Sequence, residues 1–126
     1  MTPGQYILVV DDDDEFREAL CEVLQDAGYP AQEAENGEVA LQRMAVEAPG
    51  IVLLDLKMPV LDGWGVMERM RQDARTAAIP ILILSAYGFE WESELLGAQG
   101  FIPKSVGMEE ILDKVRRVAG PPPMHH

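Results

Sequence analysis

Short apolar runs alternate with amphipathic segments along most of this chain, and this alternation limits the fold more than any other feature. Strands are predicted at residues 6–10, 30–34, 51–55, 81–84 and 100–102. Apolar residues at helical spacing predict helices at residues 14–27, 40–48, 64–72, 92–96 and 108–118. Strands and helices that alternate in this way predict right-handed βαβ units and one parallel sheet, with the weak second strand near its edge.

The composition narrows the classes of function. The chain has a net charge of −12 and a pI near 4.4, so it is predicted not to bind nucleic acid or anionic membranes directly. No apolar stretch approaches membrane-spanning length, and the N-terminus lacks the pattern of a signal peptide. The single cysteine, Cys21, falls on the apolar face of a predicted helix, so no disulfide framework is expected. These features favour a cytoplasmic location.

The chain length and the C-terminal composition predict a simple domain organisation. Residues 1–119 are predicted to form one domain, which is long enough to bury a single core. The proline-rich end at residues 120–126 is predicted to be the start of a linker or the remnant of a purification tag. Its two histidines, His125 and His126, are therefore not interpreted as a metal site.

The stretch at residues 51–59 carries the residue on which the functional prediction depends. Its branched apolar side chains predict a strand that is buried on both faces and that ends in Asp55. Pro59 stops the strand pairing, and Asp62 and Gly63 predict a turn before the next helix. Ligands of open parallel α/β sheets bind beyond the carboxyl ends of the strands. Asp55 is therefore predicted to be a functional residue.

Polar side chains follow four of the predicted strands, at the point where each strand ends: Asp11 and Asp12, then Asp55, Ser85 and Lys104. Because the carboxyl ends of parallel strands meet at one edge, we expect these side chains to lie close together. Three carboxylates suit a hard cation such as Mg²⁺, while an ammonium and a hydroxyl group are suitable donors to phosphoryl oxygens. Asp55 would then be a nucleophile that forms an acyl phosphate.

Each of these residues alone also has a purely structural interpretation. Asp13 or Asp14 is the predicted N-cap of the first helix, and the acidic residues beside it suit the helix dipole. Ser85 would be a turn residue and Lys104 a surface charge. The coincidence of all the polar groups at strand ends is what favours the functional interpretation.

The sequence resembles the receiver domains of two-component response regulators over roughly residues 5–118. The motifs that carry the resemblance are Val9-Val10-Asp11-Asp12, Asn36-Gly37 with Ala40-Leu41, Leu53 to Pro59 with Asp62-Gly63, Ser85-Ala86, and Lys104. The resemblance implies a flavodoxin-like (βα)₅ fold, which is a doubly wound five-stranded parallel sheet of strand order 2-1-3-4-5. It also implies a signalling module that catalyses only its own phosphorylation and dephosphorylation.

The family places a metal ion and a phosphoryl group at this edge of the sheet. The resemblance implies phosphorylation of Asp55 by a histidine kinase or phosphotransfer protein. It implies that Asp12, Asp55 and the backbone carbonyl of Lys57 bind Mg²⁺, with Asp11 acting largely through water.

The remaining matched residues concern the phosphoryl group and the response to it. The resemblance implies that Ser85 and Lys104 contact the phosphoryl group and that Phe101 is the switch aromatic. Because phenylalanine has no hydroxyl to hold the ring outward, and turning inward buries apolar surface, we expect the ring to be biased inward. The surface that changes would be the short helix at 92–96, the fifth strand and the last helix. Its partners would be a downstream effector domain or protein, and a homodimer is a further expectation.

The sequence departs from the family pattern around the lysine. Ser105 follows Lys104 where the family usually has a proline joined by a cis bond, and Pro103 precedes it. We expect a trans bond between Lys104 and Ser105, because a cis bond before a non-proline residue costs about 3–4 kcal/mol. Pro103 is expected at the end of an edge strand, and Lys104 is still expected to reach the pocket. The stretch from Ser85 to Lys104 is also shorter than usual.

Three alternatives have different chemistry. A degenerate receiver would keep the fold as a protein-interaction module without phosphorylation. A haloacid dehalogenase-like hydrolase is disfavoured, because that family has an aspartate where this chain has Lys57. A nucleotide-binding flavodoxin-like domain is disfavoured, because no Gly-rich loop follows the first strand.

Overall fold

The computed structural model describes residues 1, 4–86 and 97–123. Its elements are β1 (Ile7–Val10), α1 (Asp14–Asp26), β2 (Ala31–Ala34), α2 (Gly37–Val46), β3 (Ile51–Asp55), α3 (Gly63–Gln72), β4 (Ile81–Ser85), β5 (Gly100–Pro103) and α4 (Met108–Ala119). The five strands are parallel and lie in the order β2-β1-β3-β4-β5, which confirms the predicted fold. The helix predicted at residues 92–96 lies outside the described residues.

The centre of the sheet is formed by the most apolar strands. β3 pairs with β1 on one side and with β4 on the other, and all residues of these three strands are buried. β2 lies at one edge and is mostly half-buried, as its weak apolar pattern predicts. Strands that are covered on both faces show continuous apolar runs, which explains why β1, β3 and β4 were the clearest strands in the sequence.

Helices cover both faces of the sheet. Successive strand residues point to opposite faces, so Leu8 and Leu54 belong to one apolar cluster while Ile7 and Leu53 belong to the other. Residues of α2 and α3 complete the first cluster, and residues of α1 and α4 complete the second. Full burial of one such side chain contributes about 1.5–3 kcal/mol. Cys21 is buried in the second cluster, as predicted.

Three helices begin directly above the carboxyl edge of the sheet, and each has a side-chain N-cap. Asp13, one of the two predicted caps, accepts a hydrogen bond from the N–H of Phe16. Asn36 caps α2, which therefore starts at Gly37. This helix ends at Val46, two residues before the predicted end. Asp62 caps α3 in the same way.

Gly63 lets α3 begin against the end of β3. A Cβ atom at this position would lie 2.5 Å from the carbonyl oxygen of Asp55 and 2.7 Å from the Cα atom of Leu56. The N–H of Gly63 donates to the carbonyl of Leu56 at 3.0 Å. Only a residue without a side chain fits this close backbone approach, so the turn holds the end of β3 in place.

The described part of the C-terminal segment packs on the domain. The hydroxyl of Tyr29 donates to the carbonyl of Gly120, and Pro122 lies beside Gly28. Pro123 is buried. The chain therefore stays in contact with the domain to at least residue 123, and the assignment of residues 120–126 to a linker or a tag remnant stays a prediction. No helix in the described ranges has the length and hydropathy needed to cross a membrane.

Candidate functional site

Three carboxylates meet at the carboxyl edge of the sheet. Asp11 follows β1 and is fully buried, Asp55 is the last residue of β3 with 6% exposure, and Asp12 is exposed. One carboxylate oxygen from each lies within 4.8 Å of the others. The register pairs Val10 with Leu54, so the next residue of each strand, Asp11 and Asp55, lies side by side. The structure thus brings together the three predicted carboxylates.

Backbone N–H groups hold one oxygen of each buried carboxylate. The N–H of Asp13 donates to Oδ1 of Asp11 at 3.0 Å, and the N–H of Lys57 donates to Oδ1 of Asp55 at 3.3 Å. The N–H of Asp11 donates to the carbonyl of Ala34 at 3.1 Å, which fixes the end of β1 against β2. The two Oδ2 atoms are left to face the pocket.

Lys104 connects the two buried carboxylates. Its Nζ lies 2.7 Å from Oδ2 of Asp11 and 3.3 Å from Oδ2 of Asp55. Its ammonium also lies 5.0 Å from the ring centroid of Phe16, within cation–π range. The backbone N–H of Lys104 donates to the carbonyl of Ser85 at 2.8 Å. This hydrogen bond joins the chain after β5 to the last residue of β4.

The loop around Lys104 agrees with three predictions. Pro103 is the last residue of the edge strand β5, where a missing N–H costs least. The bond between Lys104 and Ser105 is trans, and the described residues contain no cis peptide bond. The lysine reaches the pocket without the proline that usually follows it in receiver domains.

The pocket has more negative than positive charge. Burial, together with the charge of Asp11, raises the pKa of Asp55 to about 6, although Lys104 and the N–H of Lys57 act to lower it. Burial acts to lower the pKa of Lys104, but the neighbouring carboxylates of Asp11 and Asp55 outweigh it, and the pKa is raised. The ammonium of Lys104 is therefore shared by two buried carboxylates, those of Asp11 and Asp55.

The donor atoms fit a hard divalent cation. Oδ2 of Asp11 is buried, and it is compensated by the ammonium of Lys104 at 2.7 Å. The same ammonium also compensates Asp55, so a divalent cation would add positive charge that the two buried carboxylates lack. Two buried carboxylates and one exposed carboxylate supply only oxygen ligands and leave room for water, which is the environment that Mg²⁺ prefers.

Three other predicted residues lie on β4, on β5 and in the loop after β3. Ser85 is the buried last residue of β4, and its register partner on β5 is Pro103. Phe101 on β5 is 7% exposed and belongs to the cluster under α2 and α3, in agreement with an inward ring. Lys57 is exposed, two residues after Asp55. The functional roles of these residues stay predictions.

Arg17 contacts the backbone of the site and was not predicted from the sequence. It is 8% exposed, and its guanidinium donates to the backbone carbonyl of Asp11 at 2.9 Å. Its spacing from Leu20, Cys21 and Leu24 puts it on the buried face of α1, so the helical periodicity held a signal.

Comparisons with known proteins agree on one family. The family model described as "Response regulator receiver domain" matches residues 7–116. The chain is 37% identical over 115 residues to the DNA-binding dual master transcriptional regulator RpaA of Synechocystis, covering 87% of this chain and 47% of that protein. It is 38% identical over 117 residues to sporulation initiation phosphotransferase F of Bacillus subtilis, covering 90% of this chain and 93% of that protein.

Solved structures show the same fold. The chemotaxis protein CheY4 of Vibrio cholerae matches with a TM-score of 0.84 and 29% identity, covering 90% of this chain and 98% of that one. The response regulator TrrA of Thermotoga maritima, solved in complex with Mg²⁺ and BeF, matches with a TM-score of 0.79 and 35% identity over the same shares. The chain spans about half the length of the first curated relatives that it matches. It belongs to the family of response regulator receiver domains, the signalling modules of two-component systems.

Proposed function

We propose that this domain accepts a phosphoryl group on Asp55 from a phosphohistidine of a histidine kinase or phosphotransfer protein. A carboxylate oxygen of Asp55 attacks phosphorus, the P–N bond breaks, and its electron pair leaves on the imidazole ring, which takes up a proton. The product is an acyl phosphate on Asp55. A relative that is matched over 93% of its length bears the name of a phosphotransferase, which supports this class of reaction.

The observation that carries the proposal is the position of Asp55. Its Oδ2 lies 3.3 Å from the ammonium of Lys104, and one of its carboxylate oxygens lies within the cluster of possible metal ligands with Asp11 and Asp12. A nucleophile beside a cation and a divalent metal site is the arrangement that phosphoryl transfer requires, because its transition state spreads negative charge over the equatorial oxygens.

The proposed metal ligands are Asp11, Asp12, Asp55 and the backbone carbonyl of Lys57, with Asp11 acting largely through water. When bound, Mg²⁺ supplies positive charge that neutralises the incoming phosphoryl oxygens. The protein residues do the rest of the positioning. Backbone N–H groups orient Asp11 and Asp55, and Lys104 approaches both from the β5 side. The TrrA structure, which contains Mg²⁺ and BeF, supports the choice of metal.

Lys104 and Ser85 are the proposed contacts of the bound phosphoryl group. Lys104 would turn from Asp11 toward a phosphoryl oxygen, since the metal takes over the compensation of the carboxylates. Ser85 would move toward another oxygen, and any further inward turn of the Phe101 ring would be small, because the ring is already buried. The changed surface would include β5 and α4, which would bind a downstream effector domain or protein, or a second copy of the chain.

Intact-mass measurement with a small phosphodonor tests the proposal. In the presence of Mg²⁺ we expect one added phosphoryl group on the wild type and none on Asp55→Asn. The matched control Asp26→Asn removes an exposed carboxylate from the end of α1 and should be labelled like the wild type. Equal labelling of Asp55→Asn would show that another residue is the acceptor. An unlabelled wild type would support the degenerate receiver instead.

A further inference from the structure

Arg17 is a buried charged residue that none of the steps proposed above uses. Its side chain is 10% exposed, although it lies in the first half of α1, where solvent is close. Burial of a guanidinium is unfavourable unless its donors are satisfied. Here Nε and Nη1 contact groups of α1, of β2 and of the residue that follows β1, so Arg17 links three segments of the chain.

Two of the contacts orient the guanidinium. Its Nε donates to Oε1 of Glu33 on β2 at 2.9 Å, and Nη1 lies 2.7 Å from Oδ1 of Asp14 in the first turn of α1. Because the guanidinium is planar and rigid, two carboxylates on different elements fix both its position and its plane. The contacts with Glu33 and Asp14 therefore fix the direction in which the guanidinium makes its third contact.

The third contact is with the backbone of the site. Nη1 donates to the carbonyl oxygen of Asp11 at 2.9 Å, and this hydrogen bond is buried. The same carbonyl belongs to the peptide plane that joins Asp11 to Asp12. The N–H of Asp11 is bound by Ala34, so the hydrogen bonds of Arg17 and Ala34 together fix the chain on both sides of the Asp11 Cα atom.

Asp12 depends on this peptide more than the other carboxylates do. Asp11 and Asp55 each accept a backbone N–H, whereas in the described part of the chain no hydrogen bond holds the exposed carboxylate of Asp12. Its direction follows from the backbone that precedes it. One carboxylate oxygen of Asp12 lies within 4.8 Å of an oxygen of Asp11 and of Asp55. Rotation of the Asp11–Asp12 peptide would turn the carboxylate of Asp12 away from these two oxygens.

We propose that Arg17 is a positioning residue for the metal site, which sets Mg²⁺ affinity by holding the Asp11–Asp12 peptide in place. The inference rests on the proposed Mg²⁺ site. It extends that site to a side chain that touches no metal, and through Glu33 it connects the site to the edge strand β2.

Charge alone makes the opposite prediction, so the two explanations can be separated. Removal of a cation near an acidic pocket makes the local potential more negative and should tighten Mg²⁺ binding. Loss of a positioning contact should weaken it, and loss of an outer contact of this kind typically costs 10–100-fold in metal affinity.

The test is a calorimetric titration of the chain with Mg²⁺ at pH 7. We expect Arg17→Met to weaken binding by roughly tenfold. Arg17→Lys keeps the charge but loses the planar fork, so it should weaken binding by about threefold. The control Arg43→Met removes a cation from α2, exposed beside the same groove as Glu33, and should leave the affinity unchanged or slightly tighter.

Urea unfolding of each variant checks that it is folded during the titration, and Arg17→Lys decides the question if Arg17→Met is not. Unchanged or tighter binding by a folded Arg17→Met, or full affinity in Arg17→Lys, would overturn the positioning role. A wild type that binds no Mg²⁺ would overturn the proposed site and the inference with it. Binding by the wild type with equal binding by the Arg17 variants would overturn the inference alone.

Discussion

The two ends of the parallel sheet are built on opposite principles. At the amino end, Tyr6 and Tyr29 precede β1 and β2, and both are almost completely buried. At the carboxyl end, Asp11, Asp55 and Lys104 meet in a charged pocket. The same strands run through both ends, so the difference comes only from the residues at the start and at the end of each strand.

The two buried tyrosines at the amino end donate their hydroxyl groups to backbone carbonyls. The hydroxyl of Tyr6 donates to the carbonyl of Glu47 at 2.6 Å, and that of Tyr29 donates to the carbonyl of Gly120. The N–H of Gly50 donates to the carbonyl of Tyr6 at 2.8 Å. Aromatic rings that are buried with a bonded hydroxyl contribute apolar burial without an unsatisfied group.

The carboxyl end contains groups that are costly to the apo fold. The buried carboxylates of Asp11 and Asp55 share the ammonium of Lys104, and burial raises the pKa of Asp55. Val60, in the loop after β3, has a φ of 71° and is 80% exposed. A β-branched residue in the left-handed region is strained. The proposed site and the strained Val60 therefore lie at the same end, while the other end and the core contribute stability.

The largest expected effect is on stability at the amino end. Tyr29→Ala should lower the free energy of unfolding by about 3 kcal/mol, because it removes a buried aromatic ring. Tyr29→Phe, the matched control, should cost about 1 kcal/mol through the lost hydrogen bond to Gly120. Urea unfolding measures both. Mg²⁺ affinity should be unchanged, and a change of more than about twofold would show that the two ends are coupled.

A smaller effect is expected at the carboxyl end and should depend on metal. Lys104→Met leaves Asp11 and Asp55 without their cation, so it should lower the free energy of unfolding by about 2 kcal/mol in EDTA at pH 7. Saturating Mg²⁺ should recover most of this loss, because the metal replaces the missing charge. The control Lys114→Met on α4 should show no metal-dependent change. A loss that is equal with and without Mg²⁺ would contradict the shared compensation.

The sequence predicted which charged side chains meet at the carboxyl edge because its signals are local. The apolar runs end where the polar residues begin, and parallel pairing then brings those residues to one edge. Asp55 could be identified from its position at the end of a buried strand. The N-cap of α1 could be narrowed to two candidate residues, one of which, Asp13, is the cap in the structure. The departure around Lys104 and Ser105 was also interpretable, because the cost of a cis bond is an intrinsic property of the backbone.

The features that the sequence did not predict depend on tertiary contacts. Arg17 has partners on β2 and in the residue that follows β1, and no local pattern shows which strands will surround a helix face. The contact of Pro122 with Gly28 likewise joins residues far apart in the chain. The strained Val60 follows a proline in a loop, and its positive φ has no signal in its residue type.

The smallest expected effect concerns the pH dependence of the carboxyl end. The folded state binds the Asp55 proton more tightly than the unfolded chain does, because the pKa is raised to about 6 in the fold. The free energy of unfolding therefore loses this contribution as the pH rises from about 4 to about 6. Asp55→Asn has no charge to bury, so it should be more stable than the wild type by about 1 kcal/mol at pH 7 without metal, allowing for solvent screening.

Urea unfolding of the wild type and Asp55→Asn in EDTA, from pH 4 to pH 8, measures this difference. It should be near zero at pH 4, where the wild-type carboxyl is protonated in the fold, and it should reach its full value above pH 6, because protonation no longer relieves the buried charge. Glu22→Gln, an exposed position on α1, is the matched control and should follow the wild type at every pH. Saturating Mg²⁺ should reverse the order of stability at pH 7, since the wild type gains a ligand that the variant has lost. A variant that is less stable than the wild type in EDTA would show that the charge of Asp55 is fully compensated within the apo pocket.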